Sequence, residues 1–189
     1  MRIISGENRG KKLKAPKGFT TRPVLARVRQ ALFNIIGDID NLRVLDLFAG
    51  TGAVGIEALS RGAESATFVE IGHSQIRIIK ENLSGIGKKG TVYPIDVFRA
   101  IKKLKQDNCR FDFIFADPPY DKGLSQKVLT AVSENDIISE NGLVALTVRH
   151  SEVFPEEVPG LIKIFDRKYG DSKILIYKKN ISGNTSPAN

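Results

Sequence analysis

The sequence predicts a mostly parallel α/β sandwich closed by a C-terminal antiparallel hairpin, and three observations predict it. Short apolar runs of strand length alternate with stretches of helical period from Val24 to Val148, the signature of helices wrapped on one sheet. An acid stands at or near the end of each of the first four runs: Asp46, Glu70, Asp96 and Asp117. A glycine-rich turn, Ala49-Gly50-Thr51-Gly52, joins the first run to the helix after it. With 189 residues the chain is expected to form one domain with a small appendage.

Taken in order, residues 2–14 alternate weakly around the turn residues Glu7-Asn8-Arg9-Gly10 and predict a short basic hairpin. Pro16, Gly18, Thr20 and Thr21 read as a linker, and Pro23 suits a helix start. Val24, Leu25, Val28, Ala31, Leu32, Ile35 and Ile36 share one helical face that ends at Gly37, with Arg27, Arg29 and Gln30 mostly off it. Strands are expected at residues 43–48, 65–69, 91–95, 111–116 and 142–148. Helices are expected through Ile56 and Leu59, from a Ser74 cap to Gly85, around Phe98, Ile101 and Leu104, and over residues 125–132. Residues 161–165 and 173–177 form the hairpin on the sheet edge. The domain division is therefore a basic hairpin and linker at 1–22, the main domain at 23–179, and a disordered tail at 180–189.

Composition narrows the partners. Hydrophobic residues make up 41% and charged residues 26%, as in ordinary soluble globular chains. There is no apolar run of membrane length, and the first residues lack the apolar core and cleavage site of a signal peptide. A single cysteine, Cys109, excludes an internal disulfide framework, so a cytoplasmic location is expected. The net charge of +8 is confined to one place. Residues 1–30 hold nine Lys and Arg against Glu7 alone, while the rest carries twenty of each sign. Such a block marks a polyanion partner. His73 and His150 have no metal-ligand spacing, so no metal site is expected.

Open α/β sheets bind ligands beyond their strand ends, where these four acids fall. Four carboxylates on one rim repel each other unless a cation or several donors lie among them. Gly50-Thr51-Gly52-Ala53-Val54-Gly55 fits the G-x-G-x-x-G dinucleotide fingerprint, and Glu70 lies twenty residues past its first glycine, which admits a nicotinamide enzyme. Asp46 opposes that reading, because an acid there would crowd a pyrophosphate. S-adenosylmethionine suits all four: its ammonium for Asp46, its ribose diol for Glu70, its adenine amine for Asp96, and its carboxylate for the loop N–H groups. Phe48, Ala49, Thr51, Ile71 and Val97 are the adjoining cofactor candidates.

The fourth strand runs into Asp117-Pro118-Pro119-Tyr120. Two prolines forbid helix and ladder and leave a rigid edge of acceptors beside an aromatic ring, which suits a planar group bearing an amine. On an amine so placed, Asp117 and the Pro118 carbonyl would each accept one N–H while Tyr120 stacks on the planar ring, and methyl transfer would be an in-line displacement governed by positioning.

Asp46-Leu-Phe-Ala-Gly-Thr-Gly52, Glu70, Asp96 and Asp117-Pro-Pro-Tyr120 resemble, in order and spacing, class I S-adenosylmethionine-dependent methyltransferases acting on exocyclic base amines. Arg2-Ile-Ile-Ser-Gly, Arg9-Gly, the stretch from Arg22-Pro23 to Phe33-Asn34, Glu57-Ala-Leu-Ser-Arg-Gly62 and Tyr169-Gly170 look more specifically like the bacterial 16S rRNA (guanine-N2-)-methyltransferase family, over about residues 1–178. The resemblance implies a Rossmann-like class I methyltransferase sandwich and methylation of a guanine N2 amine in 16S ribosomal RNA, free or within the assembling small subunit, by a monomer. Arg2, Arg9, Lys11, Lys12, Arg22 and Arg29 are the candidates for RNA contacts. The chain departs from the family pattern at Val24-Leu25-Ala26, at Gly72, and at Arg149-His150, where the fifth strand usually ends on an acid. Two alternatives stay open: adenine N6 in RNA or DNA as the methylated amine, and a non-catalytic RNA-binding module whose cofactor site is vestigial.

Overall fold

A computed structural model describes residues 1–16, 23–120 and 123–180. Its elements are α1 (Pro23–Ile36), β1 (Arg43–Leu47), α2 (Ala53–Ser60), β2 (Ser65–Val69), α3 (His73–Gly85), β3 (Thr91–Tyr93), α4 (Val97–Gln106), β4 (Phe111–Ala116), α5 (Leu124–Asn135), β5 (Ile138–Arg149), β6 (Glu157–Val158), β7 (Leu161–Tyr169) and β8 (Ser172–Lys179). They build an eight-stranded sheet of order β3-β2-β1-β4-β5-β8-β7-β6. β1 to β5 run parallel, whereas β8 is antiparallel to both β5 and β7. The chain winds outward from β1 through β2 to β3, then returns to place β4 on β1's other side. The strand order reverses there, so the two connections diverge and leave a crevice above β1 and β4.

Each face of the sheet carries its own core. On one face Ile56, Ala58 and Leu59 of α2, Ile79 and Leu83 of α3, and Val28, Leu32 and Phe33 of α1 meet Val44, Phe68, Phe113 and Ala145. Ala100, Ile101 and Leu104 of α4, with Val128, Leu129 and Val132 of α5, cover Leu45, Ile114 and Leu146 on the other. Burying a side chain such as Ile79 or Leu104 contributes about 1.5–3 kcal/mol. β1 and β4 are apolar on both sides for this reason, and their polar residues cluster at the ends.

The basic segment at 1–16 forms a ribbon around the bridge Arg2↔Lys12, with Ile3 N–H on the Lys11 carbonyl and Leu13 N–H on the Met1 carbonyl. Ile3 and Leu13 are buried in the core shared with α1 and α2. Glu57, wholly buried on α2, fastens the ribbon: its carboxylate accepts the N–H groups of Ile4 (2.8 Å) and Ser5 (2.9 Å) and the Arg61 guanidinium (2.9 Å). Residues 17–22, including Arg22, lie outside the described part, as do residues 181–189 of the expected tail.

Several expected boundaries shift for physical reasons. The third strand stops at Tyr93, before Pro94, which has no N–H for the ladder. The fifth begins at Ile138, because Glu140-Asn141-Gly142 is an irregularity inside the strand, with Asn141 at φ 63°, and not a turn before it. The hairpin strands extend to Tyr169 and Lys179, and the two-residue β6 adds an edge. α3 starts at His73 after Gly72, so Ser74 lies inside the helix and donates to Gln75 instead of capping it.

Candidate active site

Three neighbouring strand ends frame the crevice. Asp46 of β1 pairs in register with Phe68 of β2 and Phe115 of β4, so Asp117 lies two residues further along the adjacent strand direction. After β1 the backbone turns sharply. Phe48 sits at φ 59°, a left-handed conformation that costs a non-glycine residue about 1–3 kcal/mol, and such strain concentrates at functional sites. Ala49 N–H is held by the Val69 carbonyl (3.0 Å) and Gly52 N–H by the Ala49 carbonyl (2.7 Å). Gly52, at φ 75°, delivers the chain into α2.

The third glycine has a different task. A Cβ on Gly55 would stand 2.4 Å from the Phe68 ring, so only glycine lets α2 close on β2. That approach brings Gly55 N–H to Asp46 Oδ2 at 2.9 Å, in the first turn of the helix where the dipole favours an anion. Glu70 ties the two loops together, its carboxylate accepting Gly50 N–H and Gly72 N–H at 2.8 Å each. Asp96 caps α4: Oδ1 accepts from Phe98 N–H (2.9 Å) and Arg99 N–H (3.2 Å), which fixes the carboxylate and leaves its other oxygen outside the cap.

The electrostatics ask for a cation. Burial pushes the Asp46 carboxyl up to about 8, against the pull of the Gly55 N–H, and the nearby Asp117 and Glu70 carboxylates add to the rise. Burial alone raises Asp117 to about 6. At neutral pH the unliganded protein therefore holds a proton on most copies of Asp46, and a bound ammonium would displace it.

The remaining candidates fall around this cradle. Ala49 and Thr51 are buried in the loop, Phe48 is partly exposed, Val97 is buried at the start of α4, and Ile71 is 66% exposed beside Glu70. Pro118 is buried, while Pro119 and Tyr120 are exposed. The Tyr120 hydroxyl hydrogen-bonds Ser172 Oγ at 2.5 Å, and the Arg149 guanidinium lies 5.1 Å over its ring. Arg149 and Ser172 are direct partners between β5 and β8, so the hairpin edge positions this ring. Sequence patterning gives no sign of that support.

A family model described as conserved hypothetical protein 95 matches residues 1–178. The chain belongs to that family. It is 38% identical over 182 residues to "Putative rRNA methyltransferase YlbH" of Bacillus subtilis (strain 168), covering 95% of this chain and 99% of the relative. It is 34% identical over 145 residues to "Ribosomal RNA small subunit methyltransferase D" of Escherichia coli (strain K12), covering 76% and 72%. Among solved structures, the hypothetical protein TTHA0928 of Thermus thermophilus matches with a TM-score of 0.81 and 30% identity over 93% of this chain and 98% of that one. For this member of the conserved hypothetical protein 95 family the fold is accordingly the expected Rossmann-like methyltransferase sandwich, with its antiparallel C-terminal strands.

Of the residues expected to meet RNA, Arg9, Lys11 and Lys12 are exposed on the ribbon. Arg2 is exposed too, although its guanidinium braces the ribbon by donating to the Gly10 carbonyl at 2.8 Å. Arg29 departs from expectation. It is 5% exposed, donates to the Arg2 carbonyl at 2.5 Å and faces Glu57 at 3.8 Å, so it anchors the ribbon to α1 and α2 and presents no charge to solvent. Burial pushes its guanidinium pKa down, Glu57 opposes that, and Arg61 beside it adds to the fall. No helix among the described residues is long and apolar enough to cross a membrane.

Proposed function

We propose that this protein transfers a methyl group from S-adenosylmethionine to the exocyclic N2 amine of a guanine in small-subunit ribosomal RNA. The observation that carries the reading is the convergence of Asp46, Glu70 and Asp117 on one crevice, with the proline pair and Tyr120 at its mouth. The names carried by the Bacillus and Escherichia relatives favour ribosomal RNA as the acceptor class.

The residues fit the cofactor. Asp46, buried and short of positive charge, would hold its ammonium, Glu70 its ribose hydroxyls, and the free oxygen of Asp96 its adenine amine. Ile71 and Val97 would flank the adenine ring. S-adenosylmethionine supplies an electrophilic methyl on sulfur. The work of this chain is to prepare the amine. A guanine N2 lone pair is delocalised into the ring, and acceptors at Asp117 Oδ and the Pro118 carbonyl would hold both N–H bonds and turn the lone pair outward. Proline adds no competing donor. Tyr120 offers an exposed face for the extruded base, and an Asp117 pKa of about 6 leaves the carboxylate ionised as an acceptor at neutral pH. Methyl transfer then follows from alignment.

The test pairs labelled methyl transfer into small-subunit RNA, naked and in subunits, with a cofactor titration. Wild type should label RNA, and Asp117→Ala should abolish labelling while keeping its S-adenosylmethionine affinity. Loss of cofactor affinity in Asp117→Ala would refute this division of labour. Labelled N6-methyladenosine would keep the site and replace the base.

A further inference from the structure

The edge that supports Tyr120 continues beyond it. Arg167 of β7 lies over the Tyr169 ring at 5.8 Å, as Arg149 lies over Tyr120 at 5.1 Å, both within cation–π range. Ser172 links the two pairs. It bonds the Tyr120 hydroxyl, and its register partners are Arg149 on β5 and Tyr169 on β7. Paired strand residues stand about 5 Å apart, so the Tyr120 hydroxyl meets a residue directly beside Tyr169.

Strand alternation puts this row on the sheet face that carries α1 and the basic ribbon. Arg167 pairs with Ile174, Tyr169 packs against that face's core, and Arg149 shares Ser172's side. Arg149, Tyr120 and Arg167 are exposed and Tyr169 is half-buried. Among the described residues neither guanidinium has a carboxylate partner. Glu152 accepts from the Arg149 backbone N–H, and Asp166 is paired with Lys163 and Lys173. Asp171 lies in the hairpin turn, where its backbone carbonyl binds His150. Aromatic rings interleaved with unpaired arginines form a stacking platform with phosphate donors, which suits single-stranded nucleic acid and offers a duplex nothing to stack on.

We propose that Arg149, Tyr120, Tyr169 and Arg167 form a second RNA contact, on the same sheet face as the basic ribbon, that takes the single-stranded nucleotides flanking the target base. It rests on the acceptor being RNA. Tyr120 receives the target base, Tyr169 a neighbour, and the two arginines bind the connecting phosphates through donors that stacking leaves free.

Fluorescence anisotropy of a labelled single-stranded RNA oligonucleotide, titrated across salt, tests the contact in Arg149→Gln, Arg167→Gln, the double variant and the two Arg→Lys variants. Each lost phosphate contact should flatten the log–log salt slope by about 0.7, and lysine should restore it. Tyr169→Ala should weaken single-strand binding by about tenfold, duplex RNA should compete poorly, and S-adenosylmethionine affinity should stay at the wild-type value in all. An unchanged slope in the double variant, or equal competition by duplex, overturns the contact. Methyl transfer separates the two readings. If wild type labels RNA and the double variant keeps both KM and slope, the contact fails and the methyltransferase stands. If wild type labels no RNA while the slope flattens as predicted, the row binds RNA but flanks no target base, and the acceptor assignment falls.

Discussion

If Asp46 holds the cofactor's ammonium as proposed, cofactor binding should release a proton. The Asp46 carboxyl titrates at about 8 because it is buried and because Asp117 and Glu70 lie near it. About one copy in a hundred is then ionised at pH 6 and one in ten at pH 7, so ionisation costs about 2.7 kcal/mol at the lower pH and about 1.4 at the higher. A ligand whose ammonium pairs with the carboxylate must overcome that cost. Affinity for S-adenosylhomocysteine, which carries the same ammonium, should therefore rise about tenfold from pH 6 to pH 7. The window stays below the ligand's own amine titration, near 8. Calorimetry in buffers of different ionisation enthalpy should count close to one proton released per ligand bound at pH 6.5. Asp46→Asn should bind weakly with no slope over this range. A wild-type affinity flat with pH, or proton uptake on binding, would refute the reasoning. The same shift acts on stability. The folded state keeps a proton that the unfolded chain loses near 4, so this stabilisation is present below pH 4 and is gone once pH rises through about 8.

The other predictions concern the amine acceptor, the glycine loop and the ribbon anchor. The rate of methyl transfer should fall as pH drops through about 6, when Asp117 protonates and loses an acceptor, and a pH–rate profile checks it. Gly55→Ala should destabilise by about 1–3 kcal/mol, because its Cβ meets the Phe68 ring, and Phe68→Leu in the same chain should recover part of the loss in urea unfolding. Glu57→Ala should cost about 3–5 kcal/mol by orphaning Arg29, Arg61 and two ribbon N–H groups, read from the denaturation midpoint. Asp96→Ala should lower stability by about 1 kcal/mol through the lost α4 cap and weaken cofactor binding as well.

Much of this arrangement is legible in the sequence because its causes are local. A buried parallel strand reads as an apolar run whose polar residues gather near its ends, which is why the acids mark the rim. The spacing from Gly50 to Glu70 likewise survives into contact, since one β-α unit connects them. What is not legible depends on partners distant in the chain. Arg29 reads as a solvent-facing charge on an amphipathic helix, and only Glu57, brought in on another helix, makes its burial tolerable. Tyr120 reads as a free ring at a strand exit, and Ser172, 52 residues on, fixes it. The fifth strand reads as starting at Gly142 because the Glu140-Asn141-Gly142 irregularity interrupts its apolar run. Asp96 caps α4, a role its place after a strand does not announce, and the oxygen outside that cap is the one proposed for the ligand.

The most direct test of the account is nucleoside analysis of small-subunit RNA after incubation with the wild-type protein and methyl-labelled S-adenosylmethionine. The account predicts label in N2-methylguanosine, and none in the Asp117→Ala reaction. Label in any other nucleoside, or label that survives Asp117→Ala, would contradict it.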